Sequence, residues 1–282
     1  REALAMMFNF EWSNAQLFYG LYKRVQSFWG NSELEARGVP TEGERAVLQP
    51  LVDQGLLGAE ILTDEAVMAP VSGQRQLDRK NLRRASQLMD EAGWRVNSDG
   101  MREKDGQVFT LEVLDSSPAF DRITNPMIEN MKALGIDARL NRVDTAQESE
   151  RTRAYDFDVT THSMRMNFEP SSGLEQYFGT KAMDQSSRNL MGLSDPAVDA
   201  LIEKTVRAQS KAELNTDIRA LDRVLRAKRF WIPQWFKAVH TVAYYDQYGH
   251  PDPLPPFARG ELDFWWFDAE KAAKLEAAGV LN

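Results

Sequence analysis

The chain has no cysteine among its 282 residues. This absence excludes disulfide staples and every thiolate function, nucleophilic or metal-binding. It accords with an oxidising compartment without establishing one. No run reaches the roughly 18 consecutive apolar residues of a membrane-spanning helix, and the first residues lack the basic, apolar and small-residue succession of an export signal. Histidine is scarce. His162, His240 and His250 are the three, none at the i, i+2 or i, i+4 spacing of zinc ligands, so neither a metal site nor a cofactor is expected. The G-x-S-x-G elbow, the P-loop and G-x-G-x-x-G are also missing. Charge of one sign never accumulates: 42 acidic and 34 basic residues are interspersed for a net charge of -8, which favours solubility and argues against a nucleic-acid partner.

What is present is enough apolar material, 43% hydrophobic and 10% aromatic, to bury a core in one large or two smaller lobes. The chain opens at Arg1 inside an amphipathic pattern, with Leu4, Met7, Phe8 and Trp12 at helical spacing. That start predicts membership of a longer polypeptide. A second helix is expected over Leu17–Val25, capped by Ser13 or Asn14. Residues 30–76 are punctuated by glycine and proline into short segments and read as a long, locally ordered and packed excursion over a surface. LDRKNLRRASQLMDEAGW predicts a helix from about Asp78 to Ala92, stopped by Gly93.

The most regular passage follows. FTLEVL alternates at period two, ITNPMIENMKALG has helical spacing, ARLNRV alternates, DTAQESERTRA is helix-prone, and YDFDVTTHSM alternates again. Strand, helix, strand, helix, strand implies a parallel sheet with crossovers. Two more helices are expected, SDPAVDALIEKTVRAQ with Ser194 as cap and KAELNTDIRALDRVLRAKR, and then two extended segments in FWIPQWFKAVHTVAYY. A Pro-rich stretch after Gly249 sets off the final residues, which carry the apolar LDFWWFD and a short helix over about Asp268–Ala278. The fold class read from this is α/β, a parallel or mixed sheet flanked by helices.

Candidate chemistry is sparse. Asp156 and Asp158 stand two apart in the last expected strand, hence on one face, and with His162 at the strand end they form the one constellation able to support a hydrolase or transferase. The competing reading gives Tyr155, Phe157 and Val159 to the core and leaves the two carboxylates on the polar face. In WIPQWF, alternation would set Trp231, Pro233 and Trp235 on one face and Ile232, Gln234 and Phe236 on the other.

Taken in order, REALAMMFNFEW, NLRRASQLMDEAGW, MIENMKALGIDARL, LMGLSDPAVDALIEK and WIPQW resemble successive elements of the family-five periplasmic solute-binding proteins of ABC importers. PVSGQRQLDRKNL, RALDRVL, NFEPSS and LDFWWFDAEKAAKL are similar to the Yej-type peptide-binding branch. The resemblance implies one lobe of a type II-like clamshell, residues 1–244, with a tail, 245–282, that returns to a first lobe. It further implies a periplasmic, non-catalytic protein that binds short peptides or peptide-like solutes and docks on an ABC permease, the same fold also serving metal chelates and oligosaccharides. The ligand residues it implies are His162, Ser163, Met164, Arg165 and Asn167, lying along a bound peptide as an added strand, with Trp235 near the crossing between lobes. Where peptide-binding members hold the ligand's ammonium with an aspartate, this chain has Met166 or Asn167. Arg165 favours an anionic group.

Overall fold

Asn9 breaks the opening pattern in two. In the computed structural model, which describes residues 1–184, 188–255 and 260–280, α1 (Glu2–Ala5) is about one turn. Helix α2 (Phe10–Gln16) starts afresh because the Asn9 side chain accepts from Trp12 N at 2.8 Å. The helix expected over 17–25 is replaced by a turn and a strand. Tyr19 and Gly20 take positive φ, the Asn14 side chain binds both the N–H and the C=O of Tyr22, and the chain leaves as β1 (Tyr22–Arg24).

The excursion that follows holds a helix that glycine and proline had hidden, α3 (Glu42–Asp53), capped by Thr41 with Pro50 inside it and Leu48 and Leu51 buried. Helix α4 (Arg79–Glu91) matches expectation. Asp78 accepts from the N–H groups of Lys80 and Asn81 at 2.8 Å, and Gly93, at φ +87°, supplies the left-handed stop.

Strands β2 (Arg95–Val96), β3 (Arg102–Lys104) and β4 (Gln107–Val108) form a small antiparallel sheet. The expected βαβαβ passage then appears as β5 (Thr110–Asp115), α5 (Asp121–Ala133), β6 (Asp137–Arg142), α6 (Thr145–Arg153) and β7 (Val159–Thr160), a parallel sheet in the order β6-β5-β7. Strand β7 is much shorter than the alternation suggested. Tyr155 takes φ +55°, so the pleat cannot begin there, and only Val159 and Thr160 pair, with Val113 and Leu114.

The chain continues through α7 (Leu174–Phe178), α8 (Pro196–Val206) and α9 (Lys211–Ala227) to β8 (Trp235–Lys237), which lies beside β1. Asp195, not Ser194, caps α8, accepting from Ala197 and Val198 N. One residue further on, the carboxylate reaches the N–H groups that Pro196, first in the helix, leaves to be satisfied.

Arg1–Phe236 contains two hydrophobic cores. The first gathers α1, α2, α4, α5 and the parallel sheet around Met7, Phe8, Ala85, Val113, Met131 and Ile136. The second gathers α3, α7, α8 and α9 around Leu48, Phe178, Leu201, Leu221 and Leu225. Three stretches pass between them: Tyr22 to Phe28, Val159 to Met166, and Trp231 to Trp235.

Helix α9 does more than present an apolar stripe. Asp222, fully buried, accepts from Ser27 Oγ (2.9 Å), Phe28 N (3.1 Å), Ala36 N (3.0 Å) and Arg226 Nη1 (3.1 Å). Arg226 donates to the carbonyls of Ala36 and Val67, both at 2.7 Å, and Arg223 pairs with Glu44 at 2.8 Å. Burial pushes the Asp222 carboxyl up while Arg226 and the surrounding donors oppose it. These bonds fasten the 27–67 excursion to α9 by its backbone, which explains how a loop-rich segment stays packed.

The unit Lys237–Asn282 holds β9 (Tyr248–Gly249), antiparallel to β10 (Trp266–Phe267), and α10 (Ala269–Ala277) capped by Asp268. Gly249 is required there, since a Cβ would come within 2.4 Å of the Trp266 ring. Of the Pro-rich stretch, Pro256 lies outside the described residues.

Candidate ligand-binding segment

Beyond β7 the chain passes the carboxyl edge of the parallel sheet and runs without helix or strand assignment to Asn167. Its side chains sort by alternation. Met164 and Met166 pack against the second core, whereas Ser163, Arg165 and Asn167 are exposed. Val159, at the start of the same stretch, packs against the first core. Each end is therefore anchored by apolar contacts, and the roll of the intervening backbone is set by the two methionines.

Among the described residues, no hydrogen bond engages the backbone N–H and C=O groups of 162–167. An extended segment with unpaired main-chain groups is an open edge. It lies where parallel α/β sheets place their ligands, outside the carboxyl ends of the strands. His162 is exposed by area, yet crowded enough that desolvation lowers its pKa and favours neutral imidazole.

The two aspartates are engaged elsewhere. Asp156 pairs with Arg151 Nε at 2.8 Å, and Asp158 accepts from the N–H of Glu112 at 2.8 Å. Among the described residues, no hydrogen bond joins either to His162. Both act locally, Asp156 at the end of α6 and Asp158 as a tie between β5 and the segment before β7.

Trp235 belongs to an aromatic group that includes Phe18 (ring centroids 4.8 Å apart), Phe8 (6.1 Å) and Tyr22 (6.1 Å). Its side chain is half-buried against the first core, together with that of Ile232, while Trp231 stacks on Phe28 at 4.2 Å in the second core. The face shared by Trp231, Pro233 and Trp235 is thus not formed. Only Trp235–Lys237 is strand, and the residues before it pass between cores instead of alternating over one.

The family model of the bacterial extracellular solute-binding proteins, family 5, matches residues 1–185. The chain belongs to this family. It is 38% identical to the probable peptide-binding protein YejA of Agrobacterium fabrum over 94% of this chain and 43% of that one. It is 33% identical to YejA of Escherichia coli K12 over 99% and 46%. Among solved structures, the oligopeptide-binding protein AppA of Bacillus subtilis in complex with a nonapeptide superposes with a TM-score of 0.62 over 94% of this chain and 46% of that chain, at 14% identity. At that identity the likeness establishes the fold alone. This family 5 chain therefore spans less than half the length of these relatives.

Sequence reasoning passed over two features of this family 5 fold. At the carboxyl edge of the sheet, buried Asp115 accepts from Arg142 at 2.9 Å and from Ser117 N at 2.7 Å, so the ends of β5 and β6 are tied together. The signal was two strands ending in Asp and Arg. Arg24 lies over the rings of Phe8 (5.0 Å) and Phe10 (5.5 Å), and burial lowers its pKa to about 10. Nothing in YKRVQ announces that. A cleft of about 550 Å³ lined by Glu60, Asp64, Met68, Arg223 and Arg229 contains none of the expected ligand residues.

Proposed function

We propose that this chain is the second lobe of a two-lobed periplasmic solute-binding protein, and that the protein captures short peptides or peptide-like solutes for an ABC importer. The observation that carries the reading is the open edge at 162–167. Among the described residues its N–H and C=O groups are unpaired, and its inward side chains are anchored in the second core, so an extended ligand backbone can add to it as a strand. Main-chain bonding of this kind recognises the peptide unit and not one side chain, which suits a carrier that accepts a class of ligands. His162, Ser163, Met164, Arg165 and Asn167 are the ligand-lining residues of this proposal, and Trp235 supports the crossing stretch beside them.

Affinity comes from lobe closure, which excludes water from the ligand's hydrogen bonds and turns occupancy into a shape the permease can read. No bond of the ligand is broken. The lobe is proposed to extend to about residue 244 and the remaining tail to return to a first lobe. Exposed Tyr245, Trp266 and Phe267 provide apolar surface for that return. The peptide-binding name of the Agrobacterium YejA relative supports the ligand class.

The test is native mass spectrometry of the full-length protein titrated with a mixed pool of short peptides. Retained peptides at a stoichiometry of one are expected. A protein that ignores every peptide but retains a metal chelate or an oligosaccharide overturns the reading.

A further inference from the structure

The open edge has a charge, and it is opposite to that of the chain. From Val159 to Phe168 the sequence is VTTHSMRMNF, ten residues without a carboxylate, in a polypeptide of net charge -8. Arg165 is the charged residue of that run and stands at the middle of its outward row, two residues from Ser163 and two from Asn167. It is exposed, and among the described residues no carboxylate lies within ion-pair distance of it. Two arginines of the parallel-sheet passage are by contrast committed to carboxylates, Arg142 to Asp115 and Arg151 to Glu112 and Asp156.

We infer that Arg165 selects ligands bearing a carboxylate at the position that pairs with it along the added strand. The inference rests on the strand-addition reading above. Residues opposite each other on neighbouring strands turn their side chains to the same face. A ligand residue opposite Arg165 therefore places its side chain, or its terminal carboxylate if the chain ends there, beside the guanidinium. The planar fork matches a carboxylate with two parallel N–H···O bonds. Ser163 and Asn167 supply hydrogen-bonding groups to the ligand positions on either side, and the outward row offers no apolar side chain to compete for an aliphatic one. With His162 crowded toward its neutral form, the guanidinium is the cation of the edge.

Among the described residues Arg165 has no hydrogen-bond or ion-pair partner, so Arg165→Gln and Arg165→Lys are expected to leave the melting temperature unchanged. The experiment measures dissociation constants of the full-length protein and both variants by calorimetry, using synthetic pentapeptides. One series carries glutamate at each position in turn, its control carries glutamine, and each is made with a free and an amidated C-terminus. The expected result is a glutamate position that tightens binding by about tenfold, the scale of a hydrogen bond to a charged group. Arg165→Gln should remove that preference and Arg165→Lys retain part of it. Weaker binding of both series on amidation, absent in Arg165→Gln, identifies the terminal carboxylate as the source, and a glutamate position whose advantage persists after amidation identifies the side chain. Equal binding of glutamate and glutamine peptides combined with no effect of amidation, or a carboxylate preference of either kind that survives Arg165→Gln, overturns the inference while strand addition stands. Failure of all peptides to bind overturns both.

Discussion

At the residue scale, Trp235 shows how the same side chain can be read for ligand or for core. Its ring lies 4.8 Å from that of Phe18 and within about 6 Å of Phe8, Tyr22 and Phe120, a degree of engagement that serves packing first. Trp235→Ala should therefore cost about 3 kcal/mol of stability, read as a lower denaturant midpoint. The affinity of the folded fraction for peptide is measured separately. An unchanged midpoint with weakened binding would return the ring to the ligand. Asp222 illustrates the reverse case, in which a residue that looks like helix surface is buried. In the sequence RALDRVLR, Asp222, Arg223 and Arg226 are at most 1% exposed. Their partners include backbone groups more than 150 residues away in sequence, and no local pattern encodes such partners.

At the element scale, the helix ends are the part of the fold most directly written in residue types. Thr41, Asp78, Asp144, Asp195, Ser210 and Asp268 each cap a helix through a side-chain oxygen. Asp78 is the clearest case. Hydrogen bonds from the N–H groups of Asn81, Gly73 and Lys80 hold its carboxyl below its ordinary value of 3.8, against a smaller opposing effect of burial. A carboxyl whose folded pKa is depressed stabilises the fold above its unfolded pKa and loses that contribution as pH falls through the folded value. Asp78→Ala should accordingly cost about 1 kcal/mol near neutrality. The gap between variant and parent in urea titrations should then narrow below pH 3.8. A gap independent of pH would mean that the charge of Asp78 contributes nothing. Elements that failed to follow the pattern did so for equally local reasons. Positive φ at Tyr19 and Tyr155 ended a helix and shortened a strand, and tyrosine carries no signal for that conformation.

At the scale of the whole molecule, the relevant feature of Arg1–Phe236 is that two cores share one chain and three stretches cross between them. Among the described residues the backbone of 162–167 has no hydrogen-bond partner, so its amides should exchange rapidly in the free full-length protein. Hydrogen-exchange mass spectrometry should show them slowed on addition of a bound peptide, with α9, already sealed by Asp222 and Arg226, unchanged. Protection confined to other segments would place the ligand elsewhere.

The βαβαβ passage, the helix over 79–91 and the α/β class were legible in the sequence because each depends on periodicity and end signals carried within some 15 neighbouring residues. The resemblance of ordered short motifs added the family, and the family model bears it out. The hidden helix at 42–53, the burial of the α9 charges, the separation of Trp231 from Trp235 and the open state of 162–167 depend on which distant groups meet. A backbone hydrogen bond made or left unmade is a property of the partner as much as of the residue. The sequence by itself determined which segments can be helix or strand and to which family they belong. Only the tertiary structure decided which edge remains unpaired, because that edge is what is left once two separate cores have taken the side chains they can bury.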